Sequence, residues 1–332
     1  MSIFVSVVSY CDPLLGFTLE RARDNARHPD GLHFGVVEQA PDATRMPASA
    51  SYLRVDPVHA RGPCWARAIA MSFYRGEDWF LQLDSHMDFA PGWDERLAGQ
   101  AQALSAGRRG VVLSTYPSAF VFEDGKPVPK PVTQKVLAMV VKPRTAFVGD
   151  NPVLAFEGQP VETDQPLPGM HVGAGCLFAS GNFALEFPYD PAIYFHGEEQ
   201  SVALRLFTKG WDIFHPPGMP IYHLYNDSKG SASNRPMHWD ESEDAGRAVR
   251  WRELEVRSLQ RLAQLVSGAP LGAYGLGSER TVGAFATFSG IDYANRVIAP
   301  HAYRPQPIRG TGFRTSMKLV TAVQDPGGRW SG

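Results

Sequence analysis

The chain has 332 residues, 44% hydrophobic and 20% charged, which is enough apolar material for one large domain or two. Its formal net charge of -2, with no arginine-rich face and no long block of like charge, argues against nucleic acid or an anionic membrane surface as partners. No uninterrupted apolar run approaches the ~20 residues needed to span a bilayer.

The opening "MSIFVSVVSYC" lacks a basic segment followed by a long apolar stretch and a cleavage site. It reads as a first strand, Ile3 to Ser9, rather than a signal peptide, and the expectation is a cytoplasmic protein. Leu15, Thr18, Leu19, Ala22 and Ala26 then recur at helical spacing. "LHFGVVEQ" predicts a second strand, Leu32 to Glu38, and "SYLRVDP" a third. "GPCWARAIAMSFYRG" predicts a helix with Pro63 near its first turn and Gly76 past its end. The strand "DWFLQLD", the helix "WDERLAGQAQALSAG" and the strand "GVVLSTYP" follow. Strands alternating with helices predict βαβ units and an α/β fold with a mostly parallel sheet, whose ligands bind at the carboxyl ends of the strands. That rim carries Ser9 to Asp12, Glu38 to Gln39 and Asp84 to His86.

The stretch from Glu123 to Pro168, rich in Pro, Val, Thr and Gly, reads as loops with short strands covering the site. "HVGAGCLFASGNFALEFPYD" resumes ordered structure. "HGEEQSVALRLFTKG" predicts a helix with the stripe Val202, Leu206 and Phe207 and an end at Gly210. "GMPIYHLYND" is a short strand containing His223. After Asp227 the composition turns polar and Gly/Ser-rich, a helix is expected from about Glu241 to Leu265, and the tail from His301 has no clear pattern. Cys11, Cys64 and Cys176 are far apart and in no C-x-x-C spacing; one disulfide is conceivable, and a reduced interior is favoured.

Four groups of residues suggest chemistry. In a strand, residues i and i+2 point to one face, so Asp84 and His86 of "LDSHM" are able to converge on one ion. A carboxylate with an imidazole suits Mn2+ or a similar divalent ion with positions left open for phosphate oxygens. The plainer alternative is a turn-capping acid and a surface histidine. His223 gains weight only as a third ligand; otherwise it is a structural histidine. Arg61 and Arg67 bracket a helix start that suits a diphosphate, or they are simply solvated. "FHGEEQ" groups His196 with Glu198 and Glu199: the paired acids either favour the positive end of a helix dipole, or a carboxylate stands over a sugar to orient an acceptor hydroxyl or stabilise an oxocarbenium-like centre. No phosphate-loop, nucleophile-elbow or H-E-x-x-H pattern is present.

Taken in order, "IFVSVVSYCDP", "ARGPCWAR", "GEDWFLQLDSHMDFAPGWD", "FPYDPAIYFHGEEQSVALRLFTKGWDIFHPP", "IYHLYN" and "SERTVGAFATFSGIDY" resemble glycosyltransferase family sixty, the cytosolic hydroxyproline N-acetylglucosaminyltransferases. The resemblance runs from about residue 3 to about residue 295. It implies a GT-A type, Rossmann-like nucleotide-binding fold with a C-terminal helical and irregular extension. The divisions it suggests are a catalytic domain over 1–227, made of a nucleotide-sugar half over 1–117 and an acceptor half over 118–227, and an extension over 228–332. It implies a UDP-sugar donor, foremost UDP-N-acetylglucosamine, a hydroxyl-bearing acceptor (peptide, protein or small molecule), retention at the anomeric carbon, and Mn2+ or Mg2+ under the diphosphate. Asp84-Ser85-His86 stands where many such enzymes have D-x-D, and His223 would be the distal metal ligand. Ser9, Tyr10, Asp12, Arg61, Arg67, Asp84 and Ser85 would serve the nucleotide sugar, and Glu198 and Glu199 the catalytic cleft. A metal-dependent hydrolase of nucleotide sugars or other phosphoesters on the same Asp/His site is the alternative, and a non-catalytic nucleotide-binding module is the third possibility.

Overall fold

The computed structural model describes residues 1–226 and 235–306. The Gly/Ser-rich stretch after Asp227 and most of the tail after His301 lie outside the described residues. In chain order the main elements are β1 (Ile3–Tyr10), α1 (Leu15–Asp24), β2 (Leu32–Gln39), β3 (Ser51–Val55), α2 (Pro63–Met71), β4 (Trp79–Leu83), β5 (Met87–Phe89), α3 (Trp93–Ser105) and β6 (Val111–Ser114). They continue with β7 (Ser118–Glu123), β8 (Lys126–Lys130), β9 (Val136–Val141), β10 (Phe156–Val161), β11 (Leu167–Gly169), β12 (Cys176–Ser180) and α4 (Phe183–Glu186). The last are α5 (Glu198–Thr208), β13 (Asp212–His215), β14 (Ile221–His223), α6 (Glu241–Asp244), α7 (Trp251–Val266) and α8 (Val282–Ser289).

Eight strands form the central sheet in the order β11–β13–β6–β12–β4–β1–β2–β3. The pairs β3/β2, β2/β1, β1/β4 and β13/β6 are parallel, as the alternation of strands and helices predicts. β12 runs against both neighbours, and β11 against β13. The reversal of β12 has a simple cause. The chain leaves β6 at the carboxyl end of the sheet, builds a layer above it, and re-enters from that end, so Cys176 pairs with Leu83.

β1 is buried on both faces, and its alternating side chains feed two cores. Val5 and Val7 meet Leu15 and Leu19 of α1 and Trp93 and Leu97 of α3. Phe4 on the other face belongs to the cluster of Cys64 and Met71 from α2, Phe183 from α4, Val202 and Leu206 from α5 and Leu262 from α7. The stripe Val202/Leu206 therefore packs as its spacing predicts. The C-terminal α7 reaches the same core.

One expectation is borne out in detail and one is corrected. The segment from Glu123 to Pro168 consists of short strands joined by loops, as expected, and it lines the cleft beside the strand ends. β7 and β8 form a hairpin across Asp124-Gly125, both with positive φ (50° and 74°), and β9 pairs antiparallel with β10. Asp-Gly is a favoured pair for such a tight turn. The single helix expected over Glu241 to Leu265 is two helices. Asp244 Oδ1 accepts a hydrogen bond from Trp251 N at 2.9 Å, so the acid closing α6 also starts α7 after a bend.

Candidate metal site and adjoining cleft

The carboxyl ends of β1, β2 and β4 place Tyr10, Gln39 and Leu83 along one rim. β4 stops at Leu83, so Asp84-Ser85-His86 is a turn between β4 and β5, not part of a pleated strand. The convergence of Asp84 and His86 is thus corrected in its cause. Thr18 Oγ1, on α1, donates to Ser85 O (2.7 Å) and accepts from Met87 N (2.8 Å), pinning the turn. Asp84 N bonds to Gly175 O at 3.3 Å. His223 closes β14, which pairs antiparallel with β5 so that His223 faces Met87, next to His86. One sheet register brings residues 137 positions apart into contact.

The ligand atoms of Asp84, His86 and His223 all lie within 4.8 Å of one another. His86 Nε2 is 2.9 Å from His223 Nε2, and His223 Nε2 is 3.4 Å from Asp84 Oδ2. Burial pushes the His223 pKa down to about 4, so this imidazole is neutral and its ring nitrogen has a lone pair. Burial works to raise the Asp84 carboxyl, but the His223 hydrogen bond and the Arg67 guanidinium outweigh it and hold it below the usual carboxylate range. A carboxylate and two imidazoles at this spacing fit a divalent ion of the Mn2+ type. Gly175 belongs to the same wall, because a Cβ there would overlap Asp84 Oδ2.

Asp12 stands behind the ligands. Its Oδ2 accepts from Ser85 Oγ and lies 2.6 Å from both Ser85 Oγ and His86 Nδ1, and its Oδ1 accepts from Leu14 N at 2.9 Å. A proton on His86 Nδ1 leaves the lone pair on Nε2, the side facing His223. Sequence reasoning put Asp12 at the rim but missed this contact, which has no local spacing signature. Tyr10 is engaged by the C-terminal region: its hydroxyl donates to Glu243 Oε2 (2.7 Å), and the Arg247 guanidinium lies 5.1 Å from its ring centre. The Ser9 hydroxyl is buried with no partner among the described residues.

Arg61 and Arg67 part company. Arg61 is exposed before the start of α2, whereas Arg67 turns inward from its second turn and is buried. Its Nη2 donates to Asp84 Oδ1 at 2.9 Å. Its Nε lies 3.0 Å from Glu198 Oε1, an ion-pair separation whose angle falls outside hydrogen-bond geometry. Burial raises the pKa of Glu198, against the pull of Arg67. Glu199 is more open. Its Oε2 accepts from Tyr116 Oη (2.6 Å) and lies 3.2 Å from His171 Nε2, while Oε1 accepts from Ala174 N (2.8 Å). A cleft of about 920 Å³ is lined by Arg67, Asp84, Glu198, Glu199, Tyr116 and Tyr225. Tyr116, Tyr225 and His171 had no signal in the sequence; the folding of the layer above the sheet brings them here.

A family model described as glycosyltransferase (GlcNAc) matches residues 43–295. No curated protein matches the chain. Among solved structures, GalNAc-T7, crystallised with UDP, GalNAc and Mn2+, aligns at a TM-score of 0.52 and 14% identity over 71% of this chain and 45% of its own. Residues 1–349 of S. aureus TarS, in complex with UDP-GlcNAc, align at 0.41 and 13% identity over 82% and 75% of the two chains. The chain thus spans less than half the length of the GalNAc-T7 structure, and that likeness speaks to the fold, which is of the GT-A type.

Proposed function

The chain belongs to the glycosyltransferase (GlcNAc) family, and on that premise we propose that it moves a sugar from a UDP-sugar, foremost UDP-N-acetylglucosamine, to a hydroxyl-bearing acceptor. The observation that carries this reading is the meeting of Asp84, His86 and His223 at the strand ends, beside a cleft that holds two carboxylates. Asp84, His86 and His223 would hold Mn2+ or Mg2+. Bound there, the ion supplies Lewis-acid stabilisation of the charge that develops on the departing diphosphate. The GalNAc-T7 structure with UDP and Mn2+ supports the choice of nucleotide and metal.

The chain's own residues do the rest. Asp12 orients His86. Arg67 fixes Asp84 through one oxygen and leaves the other toward His223. Ser9 and Ser85 belong to the nucleotide side, with Tyr10 and Arg61 at its margin. Glu198, held by Arg67, and Glu199, held by Tyr116 and Ala174, face the sugar and the acceptor. With the donor bound, the cleft walls would have to keep out water, a competing nucleophile. Retention at the anomeric carbon, an acceptor that is a peptide, protein or small molecule bearing a hydroxyl, and a cytoplasmic setting are part of the proposal; three free thiols support the last. No described helix is long and apolar enough to cross a membrane. We also propose the division into a catalytic domain over 1–227 and an extension over 228–332.

The test is turnover of several UDP- and GDP-sugars with and without Mn2+, with and without added hydroxyl acceptors. Mn2+-dependent transfer from a UDP-sugar is expected. Release of sugar to water alone, in the presence of every acceptor, would assign the site to a hydrolase instead.

A further inference from the structure

His196 has no part in the chemistry above, yet it lines the same cleft, two residues before Glu198. Its side chain is 48% exposed, and its Nδ1 lies 2.7 Å from Oε1 of Glu255 on α7. Glu255 is itself mostly enclosed (17%), and its other oxygen is buried with no hydrogen-bond partner among the described residues. The Glu255 carboxylate raises the His196 pKa and keeps a proton on Nδ1, so in the neutral ring the lone pair left for a donor arriving in the cleft is on Nε2. The backbone here has little freedom. Tyr194 N donates to the buried Ser258 Oγ (3.0 Å), which in turn donates to His196 O (3.2 Å). Gly197 has φ of 88°, and a Cβ there would press on Leu262 of α7. Phe195 packs its ring on Trp239, with centroids 4.8 Å apart.

We propose that His196, oriented by Glu255, accepts the hydrogen bond of the acceptor hydroxyl, so that the C-terminal extension completes the acceptor half of the cleft. This rests on the transferase reading. The rings of Tyr116, Phe156, Phe195 and Tyr225 border the same cleft, so the acceptor class that fits is a hydroxyl on a largely apolar body. His196 binds the acceptor; Glu255 acts through His196 and is a positioning residue.

The experiment uses the full chain, Mn2+, UDP-N-acetylglucosamine and three acceptor probes: a hydroxyproline peptide, a threonine peptide and a methyl glycoside. His196→Ala is expected to lower kcat/KM for the acceptor by about three- to tenfold, the scale of one lost hydrogen bond at a half-exposed side chain. UDP affinity by calorimetry should stay within about twofold, since His196 touches nothing on the nucleotide side. Glu255→Gln should shift the same parameter in the same direction by a smaller factor, and His196→Gln should recover part of the loss. Unchanged acceptor kinetics in His196→Ala, or an equal loss of UDP affinity, overturns the inference and leaves the transferase reading standing. If the unmodified chain releases the sugar to water and transfers it to none of the probes, the transferase reading fails and takes the inference with it. Should His196→Ala lose its thermal transition, His196→Gln and Glu255→Gln decide by the same criteria.

Discussion

Replacing Asp12 by Asn tests the site without touching a ligand. Its neighbours in the structure need an acceptor: Ser85 Oγ and His86 Nδ1 on Oδ2, with the Arg235 guanidinium 3.6 Å from the same oxygen, and Leu14 N on Oδ1. An amide offers one oxygen. If its NH2 takes the Oδ2 position, His86 must accept there, and its proton moves to Nε2, removing the lone pair directed at the ion site. If the NH2 takes the Oδ1 position, Leu14 N is left facing a donor, at a cost of about 1–3 kcal/mol. Loss of an outer carboxylate behind a metal-binding imidazole typically weakens metal binding about 10–100-fold, or roughly 1.4–2.8 kcal/mol. The expected outcome is therefore weaker Mn2+ binding within that range, read by calorimetry or by the Mn2+ spin-resonance signal, with an unchanged far-ultraviolet circular dichroism spectrum. Mn2+ affinity and folding stability both equal to those of the unmodified chain would refute the argument that Asp12 sets the His86 tautomer.

Three further predictions follow from the same geometry. Arg67→Met leaves Glu198 buried without its partner and should cost about 3–5 kcal/mol of stability in guanidinium unfolding; a loss under about 1 kcal/mol would show that the pair is not coupled. Burial lowers the pKa of His215 and His238 to about 4, below the ordinary 6.5, so the unfolded chain binds more protons between those values. Their contribution is complete above about pH 6.5 and fades as the pH falls toward 4, so the denaturant midpoint should be lower at pH 5 than at pH 7; equal midpoints would contradict their neutral burial. On the proposal that Glu199, held by Tyr116 and Ala174, serves the acceptor, Glu199→Gln should reduce transfer more than UDP binding; parallel losses would move Glu199 to the nucleotide side.

Much of this protein is legible along the chain because the relevant physics is local. The doubly buried β1, the helix from Pro63 with its proline in the first turn, and the apolar stripe of α5 follow from periodicity and capping preferences that need no partner to be read. The strand-end position of Asp84 follows from the same alternation. Asp124-Gly125 was also readable, since both residues tolerate positive φ.

Other features depend on contacts between distant segments. Asp84 and His86 share a site because Thr18 holds a turn, not because of a strand's pleat, and His223 joins them through the pairing of β14 with β5. Asp12 behind His86, Tyr116 on Glu199 and Glu255 on His196 lie 74, 83 and 59 positions apart. The amino-acid sequence alone determined which chemistry-bearing residues exist and which strand ends they follow, because hydrophobic period and turn chemistry act over a few residues. Which of them meet, which are buried and which face the cleft was decided only by the tertiary structure, because hydrogen-bond partners and solvent exclusion are set by the registry of sheets and the closing of one layer over another.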